Sequence, residues 1–242
     1  MGKNFDDDLT VLQGLQFIQE SDSAKHLLAY GVRALRTAAF IETTRDPIMT
    51  MLSIGVEKTL KLGLGLNHVA ATRTWLPLVV LKNEYRHDLI KMEGLLRDAI
   101  RQHIGRATHP QYVRVALEAV DGDPVWPSLV TALNRYGQEG RFYFLDALAD
   151  NPQREESPQS FWDATERVAL ENEDELNELF HRMISDYSLS DEFYRRLNER
   201  IADSLQRFWD LAAMAGVQGV LGDRGKGWGH DFKLIGRQVA GE

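Results

Sequence analysis

Two Glu-x-x-His tetrads, Glu84-Tyr85-Arg86-His87 and Glu178-Leu179-Phe180-His181, have a spacing that can hold a metal. On a helix, residues three apart share a side, so each tetrad would present a carboxylate and an imidazole together. Ferritin-like di-iron sites use two such pairs plus one Glu from each of two other helices. Glu57 and Glu139 precede the tetrads at suitable distances. Seventeen Glu and seven His would produce about 0.5 such tetrads by chance, so two is a modest excess. Helical phase weighs against the metal. Leu176, Leu179, Phe180, Met183, Ile184 and Tyr187 mark one stripe, and Glu178 and His181 fall on the other side. Glu84 and His87 are likewise off the face marked by Leu89, Met92 and Leu96. No metal and no cofactor is expected.

The elements that must position any site are helices. Asp46-Pro47 reads as a helix start, with apolar residues at Ile48, Met49, Leu52, Val56 and Leu60 and an end at Gly63-Leu64-Gly65. A long helix is expected over Leu78–Gly105, a shorter one over Gln111–Val120, and two more over Pro127–Tyr136 and Arg141–Ala149. Asp121-Gly122-Asp123-Pro124 is a turn, and the polar, proline-bearing stretch Asn151–Pro158 is a surface linker. Two long helices follow, one from Ser157-Pro158 to about Tyr187 and one from Asp191 to about Ala215. The segment from Gly216 onward holds eight of the 19 glycines, each of which disfavours helix by roughly 1 kcal/mol relative to alanine. The fold class is all-α: an antiparallel bundle over 1–150, a C-terminal helical hairpin over 151–216 packed on it, and a flexible Gly-rich tail over 217–242.

Composition narrows the function classes. The net charge of −8, from 28 basic and 36 acidic residues, argues against a broad nucleic-acid surface but leaves room for a local basic groove. The absence of cysteine removes disulfides, thiolate nucleophiles and Cys-based zinc sites. Met1–Asp8 is acidic with no apolar core, unlike a signal peptide, and no run approaches the roughly 18 apolar residues of a membrane span. A cytoplasmic protein is expected.

Three segments carry a resemblance. They are Ile54–Lys61, with a Glu57-Lys58-x-x-Lys61 edge; Arg86-His87-Asp88-Leu89; and Leu133-Asn134-Arg135-Tyr136, followed by Gly140-Arg141-Phe142-Tyr143. In this order and spacing, over roughly 24–150, they resemble HEPN domains, the antiparallel helical bundles of bacterial toxins, defence systems and nucleotidyltransferase partners. The resemblance implies a metal-independent ribonuclease site made of an Arg, a polar residue after it and a His four to six residues on, placed across a cleft between two protomers. Arg97, Asp98 and His103 fit that pattern, as does Arg224 with His230. Such spacings arise about 1.7 times by chance here. Arg97–His103 lies before Arg135-Tyr136, whereas the family pair sits after it, and His103 also falls on an apolar face, where a core histidine is the plain reading. His87, Asp88, Arg141 and Tyr143 are the cleft candidates for RNA or a nucleotide. The plain alternative is that Asp88 caps a helix and His87 is solvated, and that Glu57, Lys58 and Lys61 form a solvated edge.

The aromatic and aliphatic stripes from Phe161 to Leu211 read as core or as a dimer seam. Gly222–His230 is locally basic and lacks the ending of a P-loop. It is either a mobile tail or a peptide that closes over a phosphate or docks on a partner through Trp228. The expected function is therefore a HEPN-like RNA- or nucleotide-binding protein, a homodimer in toxin or phage-defence biology. The alternative is a non-catalytic helical interaction module, a sensor or neutralising partner that works through a protein partner.

Overall fold

The computed structural model describes residues 7–38 and 41–240. The first six residues of the acidic N-terminal segment and the last two of the Gly-rich segment lie outside them. Among the described residues the fold is all-α, with no strand and no helix long and apolar enough to cross a membrane.

Helices α1 (Val11–Thr37) and α2 (Ile41–Thr72) form a long antiparallel hairpin. Thr10 opens α1 with a capping box, its hydroxyl accepting from Gln13 N–H. Helix α2 departs from expectation at both ends. It starts at Ile41, so Pro47 lies inside it, and Asp46 serves a tertiary contact rather than a cap. It also runs through Gly63 and Gly65, because these glycines are contact points and not an end. A Cβ on Gly65 would stand 2.6 Å from Cζ2 of the Trp75 ring.

The expected helix over 78–105 is broken. A π-helical turn spans Val80–Tyr85, Arg86 takes a left-handed φ of 48°, and α3 begins afresh at Leu89–His103. The break follows from Asp88, whose Oδ1 accepts from Lys91 N–H at 2.9 Å and so starts a new helix. Helices α4 (Pro110–Asp121) and α5 (Val125–Gln138) flank the expected turn. A short α6 (Tyr143–Leu148) buries none of its residues. The expected single helix after the linker is two, α7 (Pro158–Glu171) and α8 (Asp174–Ser185), since Asn172 Nδ2 donates back to Val168 O and ends the first. Ile184 and Tyr187 are exposed, so the stripe read across them stops at Met183.

Helix α9 (Ser190–Val217) is the central post, touching α1, α4, α5, α7 and α8. One contiguous core runs from Ala24 to Val239 and includes Trp126 stacked on Phe208 at 4.7 Å. Asp123, at the α4–α5 turn, is sealed against α9. Its carboxylate receives Arg200 Nη2 at 2.6 Å, Arg207 Nη1 at 2.9 Å, the Ser204 hydroxyl at 2.6 Å and Val125 N–H at 3.1 Å. Burial disfavours the charge, but the hydrogen bonds from Arg200 and Ser204 outweigh it and hold this carboxyl below the usual aspartate range.

The Gly-rich segment is not a tail. Residues Gly222–Ala240 form α10, which returns antiparallel along α9 and parallel to α1. The glycines that weaken an isolated helix let this one lie on its neighbour without side chains between. A Cβ on Gly229 would meet Ala213 O at 2.6 Å and Gly216 C at 2.7 Å. Trp228 and Phe232 are buried, and Trp209 Nε1 donates to Phe232 O at 2.8 Å. Lys25 pairs with Asp231, Arg224 Nε with Asp7 at 2.7 Å, and Arg36 Nη1 donates to Val239 O at 2.6 Å. Trp228 therefore anchors the chain's own core and is not available as an anchor for a partner.

Candidate functional site: the polar seam of α2

Helix α2 carries Asp46, Thr50, Ser53, Glu57 and Lys61 at spacings of four, three, four and four, which is one stripe of a helix. Leu52, Val56 and Leu60 bury another face. Helix α5 and the start of α3 lie along the polar stripe. The Tyr136 hydroxyl donates to Asp46 Oδ1 at 3.0 Å and lies 2.5 Å from Thr50 Oγ1. Burial, opposed by Thr50 and reinforced by the Asp46 charge, pushes this phenol above its ordinary pKa.

About two turns beyond Thr50, His87 Nδ1 stands 3.1 Å from both carboxylate oxygens of Glu57. Lys61 Nζ reaches the same carboxylate at 2.6 Å and also donates to Arg86 O at 2.6 Å. Asn134 Oδ1 accepts from Leu89 N–H at 2.8 Å, joining α5 to the start of α3. The segments around Glu57, His87 and Asn134, some 30 to 80 positions apart in sequence, thus meet in one place. With Nδ1 turned to a carboxylate, the Nε2 edge of His87 faces away from Glu57, and the side chain is 56% exposed. An imidazole oriented by a carboxylate can exchange a proton through its other nitrogen. Asp88 acts as the cap of α3 and not as a cleft group. Removing that cap by Asp88→Ala is expected to cost about 1 kcal/mol, read as a lower urea midpoint; an unchanged midpoint would show that α3 needs no cap.

The other cleft candidates separate. Arg141 lines an open cleft of about 150 Å³ with Asp46, Tyr136 and Phe144, and its guanidinium lies 5.0 Å over the Phe142 ring. Tyr143 is half-buried and meets the Arg135 guanidinium at 6.0 Å. The rings that face solvent here are Phe142 and Phe144. Phe142 enters the sequence reading only as part of the segment Gly140–Tyr143, and Phe144 does not enter it at all.

Arg97, Asp98 and His103 are not brought together. Six residues of helix place His103 about 120° around α3 from Arg97. Arg97 Nε lies 2.5 Å from Glu93 Oε1 and Nη1 lies 2.8 Å from Asp121 Oδ1. Arg101 joins Asp98 at 3.0 Å and Asp121 at 2.7 Å, and Trp126 Nε1 donates to Glu93 at 3.0 Å. This network ties α3 to the end of α4 and to the core. Burial opposes the Asp121 charge, but hydrogen bonds from Arg101 and Arg97 prevail and lower its pKa. His103 is half-buried, and burial with the charge of Arg106 lowers its pKa. In α10, Arg224 is bound to Asp7 while His230 is exposed, and the expected glycine cradle is helical.

Glu84 lies in the π-helical turn and His87 in the break after it, so they share no helix face. Glu178 and His181 point to solvent, as phase indicates. Among the described residues no three His, Asp or Glu side chains are grouped so as to hold a metal. No family model, curated protein or solved structure matches this chain.

Proposed function

We propose that this chain is a HEPN-like helical protein that binds RNA or nucleotides along the α2 seam, with a homodimer as the working form and toxin or phage-defence biology as the setting. The observation that carries this reading is the convergence of Glu57, Lys61, His87 and Asn134 from the three resembling segments, with His87 held by Glu57. Arg86 beside His87, and Arg141 at the Asp46 end of the same seam about three turns of α2 away, supply cations for phosphate, and exposed Phe142 and Phe144 supply faces on which bases stack. If the protein cleaves RNA, the chemistry is metal-independent. His87 Nε2 takes the proton of a ribose 2′-hydroxyl, the 2′-oxygen attacks phosphorus, and the 5′-oxygen leaves with a proton from water or a second acid. Glu57 stabilises the imidazolium so formed.

The test is cleavage and binding of labelled single-stranded RNA in the presence of EDTA. His87→Ala is expected to slow cleavage on the order of 10²–10³-fold, and Glu57→Gln by less, with His103→Ala near wild type. Loss of activity in His103→Ala alone would move the chemistry to Arg97, Asp98 and His103. A wild type that neither binds nor cuts RNA would leave the second reading, a non-catalytic interaction module. That reading draws on α6, where Phe144, Leu145 and Leu148 are exposed together.

A further inference from the structure

Helix α1 is unusual in its first two turns. Val11 is 84% exposed, Leu12 64%, Leu15 56% and Ile18 55%. At 100° per residue, Val11, Leu15 and Ile18 fall within about 60° of each other, with Leu12 on the flank. The apolar residues that serve the core, beginning with Phe17 against Trp75, lie on a different side. A row of large apolar side chains at helical spacing, turned to water, marks a surface that another molecule covers.

We propose that this face of α1 is where a second copy of the same chain docks, helix against helix. The argument rests on charge. The chain is 26% charged, yet residues 9–19 contain no Asp, Glu, Lys or Arg, their only longer polar side chains being Gln13, Gln16 and Gln19. Two copies that each carry −8 repel across most of their surfaces. A face free of charge can meet its own image without placing like charges opposite one another, as a two-fold interface requires. An anionic lipid surface asks for Lys or Arg beside the apolar stripe; residues 9–19 carry none, and the one guanidinium that reaches Gly14, Arg224 of α10, is held by Asp7 at 2.7 Å. Glu20, which pairs with Lys58 of α2, lies about 140° around α1 from Leu15. The second copy therefore sits away from the His87 seam and leaves each seam open. This proposal is independent of the RNA reading and departs from the shared-cleft arrangement that the family resemblance implies.

Sedimentation velocity on the full chain tests it. The wild type is expected to sediment at twice the mass of one chain at concentrations on the order of 10–100 µM, within reach of a small apolar interface. Leu15→Glu is expected to weaken association at least tenfold while keeping the wild-type helical circular dichroism and unfolding midpoint, because the position is already exposed. Leu148→Glu, on the exposed end of α6, is expected to leave the dimer intact. A wild type that stays monomeric throughout this range overturns the proposal, as does a Leu15→Glu dimer. Loss of the dimer in Leu148→Glu but not Leu15→Glu moves the interface to α6. A monomer that instead co-sediments with phosphatidylcholine vesicles assigns the stripe to lipid.

Discussion

Asp123→Ala will lower the thermal unfolding midpoint by roughly 10 °C, from a loss of about 3–5 kcal/mol at 2–4 °C per kcal/mol for a chain of this size. The side chain is fully buried, and it neutralises two arginines from α9 while capping the start of α5. Truncation leaves Arg200, itself almost sealed, facing an empty carboxylate position with only Glu173 and Ser204 as partners. Asp123→Asn should cost less, since the amide can still accept from Val125 N–H. The same group sets an acid limit. Its folded pKa lies below the unfolded value near 3.9, so the unfolded chain binds more protons as the pH falls. Its contribution is complete above about pH 5 and is lost as the pH drops toward the folded pKa. Equilibrium urea curves between pH 3 and pH 7 on wild type and Asp123→Ala read this directly. A gap between the two that stays constant across that range would show that the carboxylate is not held by its arginines.

Gly229→Ala and Gly227→Ala are expected to move stability in opposite directions. Both glycines lie in α10, and by helix propensity alone both changes should stabilise by roughly 0.5–1 kcal/mol. At Gly227 nothing stands within 4 Å of the new methyl, so that gain is realised. At Gly229 the methyl runs into the backbone of α9 at Ala213 and Gly216, which cannot rotate aside. The two helices must separate, at a cost of about 3 kcal/mol or more, and Trp228 and Phe232 lose their contacts with it. The midpoint in urea should rise for Gly227→Ala and fall for Gly229→Ala, and limited trypsin digestion should cut the latter first beyond Gln218. Equal shifts in the two variants would mean that α10 does not seat on α9 as described.

Much of the fold was legible because its signals are local. The turn at Asp121–Pro124, the linker read over 151–158 (whose last residue proves to open α7) and the starts of α4 and α7 follow from caps, prolines and apolar spacing that a single chain displays. Where expectation failed, the deciding contact was remote. Gly63 and Gly65 read as a helix end because glycine usually ends helices, yet here Leu96 and Trp75 occupy the space their missing side chains leave. The glycines of α10 misled in the same way, since a propensity scale treats a helix as solitary and cannot see α9 beside it. Asp46 looked like a cap until Tyr136, ninety positions away, was seen to donate to it. The candidate site was half legible. His87 and Arg141 are singled out by sequence, and Glu57 enters as a carboxylate for the His87 tetrad and as part of a charged edge, but its direct pairing with His87 is not, because an ion pair between remote segments leaves no mark in sequence spacing. The Arg97–His103 pattern shows the converse hazard. It satisfies a linear motif while helical phase sends the two side chains apart and Glu93 and Asp121 claim the arginine.

The seating of α10 bears on how the protein is born. Lys25 finds Asp231 across 206 positions, and Arg36 finds the Val239 carbonyl across 203. At translation speeds of about 5–20 residues per second, α1 leaves the ribosome roughly 10–40 s before those partners are even made. During that interval the nascent polypeptide leaves the binding site of α10 open to solvent, including the greasy wall around Trp209. Chaperone demand should therefore persist until α10 is made, and stalling a ribosome shortly before codon 222 should yield an aggregation-prone intermediate.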